Sequence, residues 1–159
     1  MEFRPLIRRN KALSREECLE LLRREKRGVL SVIGDGGYPY GTPMNHFYND
    51  ADNKLYFHCG RVGHRLDALR CCGKASFTCM DAGTPISGSW ALQVKSVIVF
   101  GQVEIIDDRE RVEAISAALS RKFTDDESYI AEEIRRSGAA TLLLAMDIEH
   151  ICGKNVTES

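Results

Sequence analysis

Gly37-Tyr38-Pro39-Tyr40-Gly41-Thr42-Pro43-Met44-Asn45 and, after a short turn, Leu55-Tyr56-Phe57-His58-Cys59-Gly60-Arg61-Val62-Gly63-His64-Arg65-Leu66 decide how this chain folds. Both segments read as strands. In the second, Leu55, Phe57 and Cys59 point one way and Tyr56 and His58 the other, the period of two expected of a strand between two different environments. That strand runs into a glycine-flanked basic turn that opens a short helix, His64 to Arg70. A helix start of this kind offers orphan backbone amides, the positive end of the helix dipole and guanidinium forks, which together suit a phosphate dianion. Its spacing matches neither a Walker loop nor G-x-G-x-x-G, and taken alone it more often means a solvated basic helix start.

Upstream, Ser14-Arg15-Glu16-Glu17 is a capping box, with Leu13 and Cys18 at staple positions. It predicts a helix of about 13 residues, close to the usual length, with Cys18, Leu21 and Leu22 as its apolar stripe and Gly28 as its stop. Short β-like runs follow: Val29 to Ile33, Tyr38 to Tyr48 and Lys54 to Cys59, separated by Gly34-Asp35-Gly36-Gly37 and by Asn49-Asp50-Ala51-Asp52-Asn53. This is the pattern of an antiparallel meander. Beyond the basic turn, Ala75 to Met80 reads as a strand, Asp81 to Ser89 as a loop, and Ala91 to Ile106 as a long strand. Asp107-Asp108 opens an amphipathic helix with Val112, Ile115, Ala118 and Leu119 at helical spacing, and Asp125-Asp126-Glu127 opens another that ends near Gly138. Thr141 to Ile151 is the last strand. Five or six antiparallel strands interrupted by three or four helices predict one α+β, mainly antiparallel β, barrel-like domain over residues 1–159.

Bulk composition excludes several classes of function. With 159 residues, the chain can bury roughly 70% of its unfolded surface without staples. Its 22 basic and 23 acidic residues leave a formal net charge of -1, without the basic stripe that nucleic-acid binding requires. No apolar run approaches the ~20 residues of a membrane span, and Met1-Glu2-Phe3-Arg4-Pro5 lacks the apolar core of a signal peptide. The expectation is a cytoplasmic protein that engages neither membranes nor nucleic acids. Cys18, Cys59, Cys71, Cys72, Cys79 and Cys152 contain no zinc-type spacing, so no metal site is expected and the thiols read as reduced core residues.

Three other residues carry candidate chemistry. Asn45, on the strand face opposite Met44 and His46, suits a hydrogen bond to a planar heterocycle or, equally, to a nearby loop. His58 suits a donor or general acid beside a flavin-like ring, although a lone strand histidine is more often structural. Trp90 either stacks on a ring or packs in a core or interface. The carboxylate pairs Asp107-Asp108 and Asp125-Asp126 sit at helix starts, where the dipole explains them.

Several ordered pieces together resemble the pyridoxamine 5′-phosphate oxidase-like family of FMN-binding split barrels, and within it the nitroimidazole resistance branch. They are Gly-Tyr-Pro-Tyr at 37–40, Pro-Met-Asn at 43–45, Leu-Tyr-Phe-His at 55–58, Gly-His-Arg-Leu at 63–66 and Lys-Ser-Val-Ile-Val-Phe-Gly at 95–101. The resemblance runs from about Phe3 to Asn155. It implies a six-stranded split barrel with flanking helices, dimerised around two FMN molecules. By position, Tyr40, Thr42, Pro43, Met44 and Asn45 would lie along the flavin, Phe57 and His58 would flank it, and Arg61, His64 and Arg65 would take its phosphate. Lys95 and Ser96 would line the ring, from the second subunit if not from the same one.

The function so implied is an FMN-dependent oxidoreductase that reduces a small aromatic or nitro-type acceptor, with His58 as the catalytic candidate and a nicotinamide or a redox protein as donor. Alternatives within the resemblance are a non-catalytic flavin carrier and a barrel holding haem or a deazaflavin, for which His46, His58 and His64 are the possible axial ligands. Departures from the vitamin oxidase pattern argue against its substrate. Gly60-Arg61-Val62 stands where a Ser-Arg-Lys element is expected, and Ile148 to Ser159 contains neither Trp nor Arg.

Overall fold

Residues 2–158 are described by the structure, a computed structural model. The elements run in the order α1 (Arg15–Arg24), β1 (Arg27–Ile33), β2 (Pro39–Asn45), β3 (Phe47–Asn49), β4 (Lys54–Gly60), α2 (His64–Cys71), β5 (Lys74–Met80), β6 (Thr84–Pro85), β7 (Leu92–Ile106), α3 (Arg109–Ser120), α4 (Glu127–Ser137) and β8 (Thr141–Glu158). Every strand pairing is antiparallel. The sheet order is β2-β1-β5-β7-β8-β4-β3, with β6 added beside β7.

That order explains the barrel. The two ends of the sheet, β2 and β3, are consecutive segments of chain parted only by His46. The sheet must therefore curl until its ends meet, leaving a split where β2 and β4 come together without a ladder between them. Counting β2 and β3 as one interrupted strand and β6 as a hairpin appendage leaves six long strands with four flanking helices, the α+β split barrel expected from the sequence.

Leu30, Phe57, Phe77, Val97, Val99, Leu144 and Met146 fill the interior, each contributing roughly 1.5–3 kcal/mol on full burial. Helix α1 plugs one end with Cys18, Leu19, Leu21 and Leu22, and α2 adds Leu66 and Leu69. A second cluster lies outside the barrel wall, where Tyr56, Leu143 and Ala145 pack against Val112 and Ile115 of α3. The alternation of β4 thus serves two cores at once. Helix α1 starts at the expected capping box, with Ser14 Oγ accepting from the Glu17 amide at 3.2 Å and the Glu17 carboxylate accepting from the Ser14 amide at 2.8 Å.

Four sequence expectations need correction. Helix α1 ends at Arg24, and Gly28 belongs to β1. Glycine is required there because a Cβ would collide with the Phe77 ring and the Thr78 carbonyl of β5. The expected strand Tyr38 to Tyr48 is broken at His46, whose amide donates to Lys26 at 3.4 Å instead of continuing a ladder. The Asp81 to Ser89 loop contains the short β6. Finally, β8 continues to Glu158, because β7 supplies partners as far as Leu92 and absorbs the register change in a bulge at Phe100/Gly101.

Candidate functional site

Two hollows flank the split of the barrel. The smaller, about 120 Å³, lies at the start of α2 and is bounded by Tyr40, Val62, Gly63, His64, Arg65 and Leu66. Gly63 is the N-cap at φ 135°, with open space where a Cβ would be, a backbone that other residues rarely adopt. It has no capping side chain, and while the Leu66 and Asp67 amides donate to the Gly63 carbonyl at 3.0 and 3.2 Å, those of His64 and Arg65 are left to receive a ligand. The Arg65 guanidinium reaches back to Thr42 Oγ1 at 3.1 Å. Its Nε is buried without a partner.

His64 is held from both sides. Its ring sits 4.3 Å from the Tyr40 ring, and its Nε2 accepts from the Asp35 amide at 3.3 Å. That bond assigns the proton of the neutral ring to Nδ1. Arg61 points elsewhere: its guanidinium donates to Asp107 at 2.7 Å and to the Ala139 carbonyl at 2.8 Å. Asp107 is thereby held below the usual carboxylate range. Arg61 is thus turned away from the hollow, whose polar side chains are those of Tyr40, His64 and Arg65.

The larger cavity, about 360 Å³, lies between the barrel wall and the α3–α4 pair. Asn45 and His58 form its barrel side; Val112, Ser116 and Leu119 of α3 and Tyr129, Glu133 and Ile134 of α4 face them. Asn45 and His58 sit on different strands, on either side of the split, and the alternation of each strand aims them out of the barrel. His58 stays open to solvent on one side, and desolvation by the surrounding walls pushes its pKa down from the usual 6.5. Ser116 Oγ is buried without a partner.

His46 takes no part in either hollow. It is fully buried, its Nε2 bonds the Leu22 carbonyl at 2.8 Å, and burial together with the nearby Lys122 charge pushes its pKa down to about 3. It is therefore withdrawn from the possible axial ligands. Lys122, just beyond α3, was not foreseen. Its ammonium donates to the carbonyls of Leu22, Glu25 and His46 at 3.2, 2.5 and 3.1 Å. It thereby ties the end of α3 to the end of α1 and to the break between β2 and β3. Its neighbours Phe123 and Thr124 line the cavity, as does Asn45 beside His46.

The remaining candidates are distributed as follows. Tyr40, Thr42 and Met44 face the barrel interior, with Tyr40 and Met44 packed against the core; Phe57 is fully buried there. Pro43 lies on the outer face, in register with Val29, Thr78 and Ile98 across four strands. Lys95 and Ser96 line neither hollow, and Lys95 Nζ stands 3.7 Å from Glu17 of α1. Trp90 is 81% exposed at the start of β7. The α3–α4 wall of the large cavity escaped sequence reading because its residues come from two helices whose polar faces look like ordinary solvated surface.

Among the described residues, no group of three or more His, Cys, Asp or Glu is placed to hold a metal ion, and no helix is long and apolar enough to cross a membrane. All six cysteines are free thiols, with Cys18 and Cys79 buried.

Residues 14–155 match the family described as pyridoxamine 5′-phosphate oxidase. No curated protein matches the chain. Among solved structures, a candidate 5-nitroimidazole antibiotic resistance protein of Bacteroides thetaiotaomicron superposes with a TM-score of 0.75 at 17% identity, covering 93% of this chain and 90% of that one. An FAD-binding protein of Mesorhizobium loti gives 0.65 at 24% identity over 92% and 97%. An FAD- and haem-binding protein of Mycobacterium smegmatis gives 0.71 at 24% identity over 91% and 73%. At these identities the structures establish a shared fold.

Proposed function

The chain belongs to the pyridoxamine 5′-phosphate oxidase family, and from that premise we propose that it is an FMN-dependent oxidoreductase reducing a small aromatic or nitro-type acceptor. The observation that carries the reading is the shared cavity of Asn45 and His58, two residues expected beside a flavin from separate strand motifs. The second hollow fits the other end of such a cofactor. Free first-turn amides, the open Gly63 position and the unpartnered Nε of Arg65 are what a phosphate monoester would satisfy.

When bound, FMN supplies the exchange of electrons between a donor, a nicotinamide or a redox protein, and the acceptor. The chain's own residues bind and orient. His64 and Arg65 hold the phosphate, Asn45 offers an amide to the ring edge, and His58 presents a neutral imidazole that can donate or accept one hydrogen bond. The α3–α4 pair forms the wall of the cavity that faces the barrel. Because Asp107 occupies Arg61, the anion site has one cation fewer than the sequence promised.

We further infer a homodimer. Val29, Ile33, Met80 and Ile98 are 40, 48, 64 and 36% exposed on the outer face of the β1-β5-β7 sheet, an apolar surface that a second copy could cover by two-fold pairing. Lys95 and Ser96 lie outside both hollows of their own chain, which leaves a role in the partner's site open to them. Free thiols accord with the proposed cytoplasmic location.

The test is the visible spectrum of the purified protein together with the mass of any released cofactor. Flavin maxima and the mass of FMN support the proposal; a Soret band, or the mass of FAD or a deazaflavin, overturns its cofactor. Nicotinamide-dependent turnover of an added nitroaromatic then separates an enzyme from a carrier.

A further inference from the structure

Deepening that reading, and resting on it for a flavin to be reduced, we propose that Lys26 and Arg27, at the edge of the cavity that holds Asn45 and His58, form a docking site for the phosphate of the electron donor, the donor being a nicotinamide nucleotide. Phe123 lines the cavity and is 37% exposed, so it marks an open edge. Two cations converge on its ring: Lys26 Nζ stands 5.3 Å and the Arg27 guanidinium 5.7 Å from the centroid. Arg27 is also in register with Asn45 across β1 and β2, which sets the two side chains next to each other on one face of the sheet.

Among the described residues no carboxylate pairs with Lys26 or Arg27, whereas Arg23 is held by Glu16 and Asp50, Arg24 by Glu25 and Asp81, and Arg121 by Glu127. The Phe123 ring gathers the two cations without neutralising them. The nearby acids Glu25 and Glu127 are spent on these arginines, and Asp126 caps α4, which leaves only the exposed Asp125 of that loop against them. Burial, and after it the charge of Lys26, push the Lys122 pKa down to about 8, so a third cation stands behind the pair at pH 7. The edge is therefore positive. A guanidinium fork beside an ammonium is the donor set that a phosphate takes. A redox protein with an acidic surface would meet mostly cations that are already paired, so the site suits a small nucleotide better.

Equilibrium dialysis of nicotinamide mononucleotide and of nicotinamide riboside, both oxidised so that no electrons pass, tests this on the full chain as purified and after incubation with FMN. The two compounds differ only in the phosphate. The mononucleotide should bind at least about fivefold more tightly at low ionic strength, the scale of two exposed charge pairs, and added salt should erode the difference. Lys26→Gln combined with Arg27→Gln, at two exposed positions, should bring the preference below about twofold. Equal binding of the two compounds by the unaltered chain overturns the inference, as does binding of neither, or a preference that survives in the folded double variant. A preference lost once FMN is bound overturns it too, since the cations would then serve the flavin's own phosphate. Failure of the flavin reading shows separately, as no FMN retained while the phosphate preference persists.

Discussion

At the scale of single residues, histidines show how one side-chain type is given different tasks by its surroundings. His46 and His58 are twelve positions apart on neighbouring segments, yet one is locked into the core and the other opens on a cavity. The fold keeps His46 neutral, at about 3 against an ordinary 6.5. Between those values the unfolded chain binds a proton that the native chain does not, so stability falls as pH drops from about 6.5, by up to about 1.4 kcal/mol per unit. The His58 shift acts in the same direction, whereas depressed carboxylates such as Asp50 and Asp107 contribute only as the pH falls further, into the carboxylate range. Urea midpoints measured at pH 7 and pH 5 should therefore decline, and His46→Gln should flatten that decline; an unaltered slope in the variant would show that His46 is not its source. His58→Gln should change the spectrum of bound flavin or its reoxidation rate. Unchanged values for both would remove His58 from the site.

At the scale of elements, the cavity depends on how α3 and α4 are fastened to the barrel. Tyr56 makes one fastening, donating to Asp52 at 2.6 Å and accepting from Arg111 of α3 at 3.0 Å. Lys122 makes another, and truncating it would take the ammonium donor from three carbonyl oxygens, of which that of Leu22 keeps the His46 ring. Lys122→Met should cost about 2–4 kcal/mol of unfolding free energy, at the usual penalty for unsatisfied buried polar groups, and should weaken ligand binding in the cavity. A loss under about 0.5 kcal/mol, the level of ordinary surface changes, would mean that water replaces the ammonium. The starts of these elements were legible in advance because capping is local: Ser14, Asp108 and Asp126 each accept from an amide three residues on. Their ends were less legible. Gly28 carried the signature of a helix stop but is glycine because Phe77, 49 positions later, needs the space.

At the scale of the whole molecule, the barrel closes through a single break at His46 and leaves the outer face of β1, β5 and β7 uncovered. A row of Pro43, Val29, Thr78 and Ile98 crosses it. If this face joins two copies, Ile98→Lys should convert a dimer to a monomer in light scattering after size exclusion, with an unchanged far-ultraviolet circular dichroism spectrum. A dimer that survives would place the interface elsewhere. The sequence by itself determined the antiparallel strands, the helix starts and the two-faced β4, because each depends on neighbours within a few positions. Only the tertiary structure decided that Asp107 claims Arg61, that Lys122 binds three carbonyls, and that two helices roof Asn45 and His58. These pairings join residues 46 to 100 positions apart, and local pattern carries no signal for contacts that exist only once the sheet has curled.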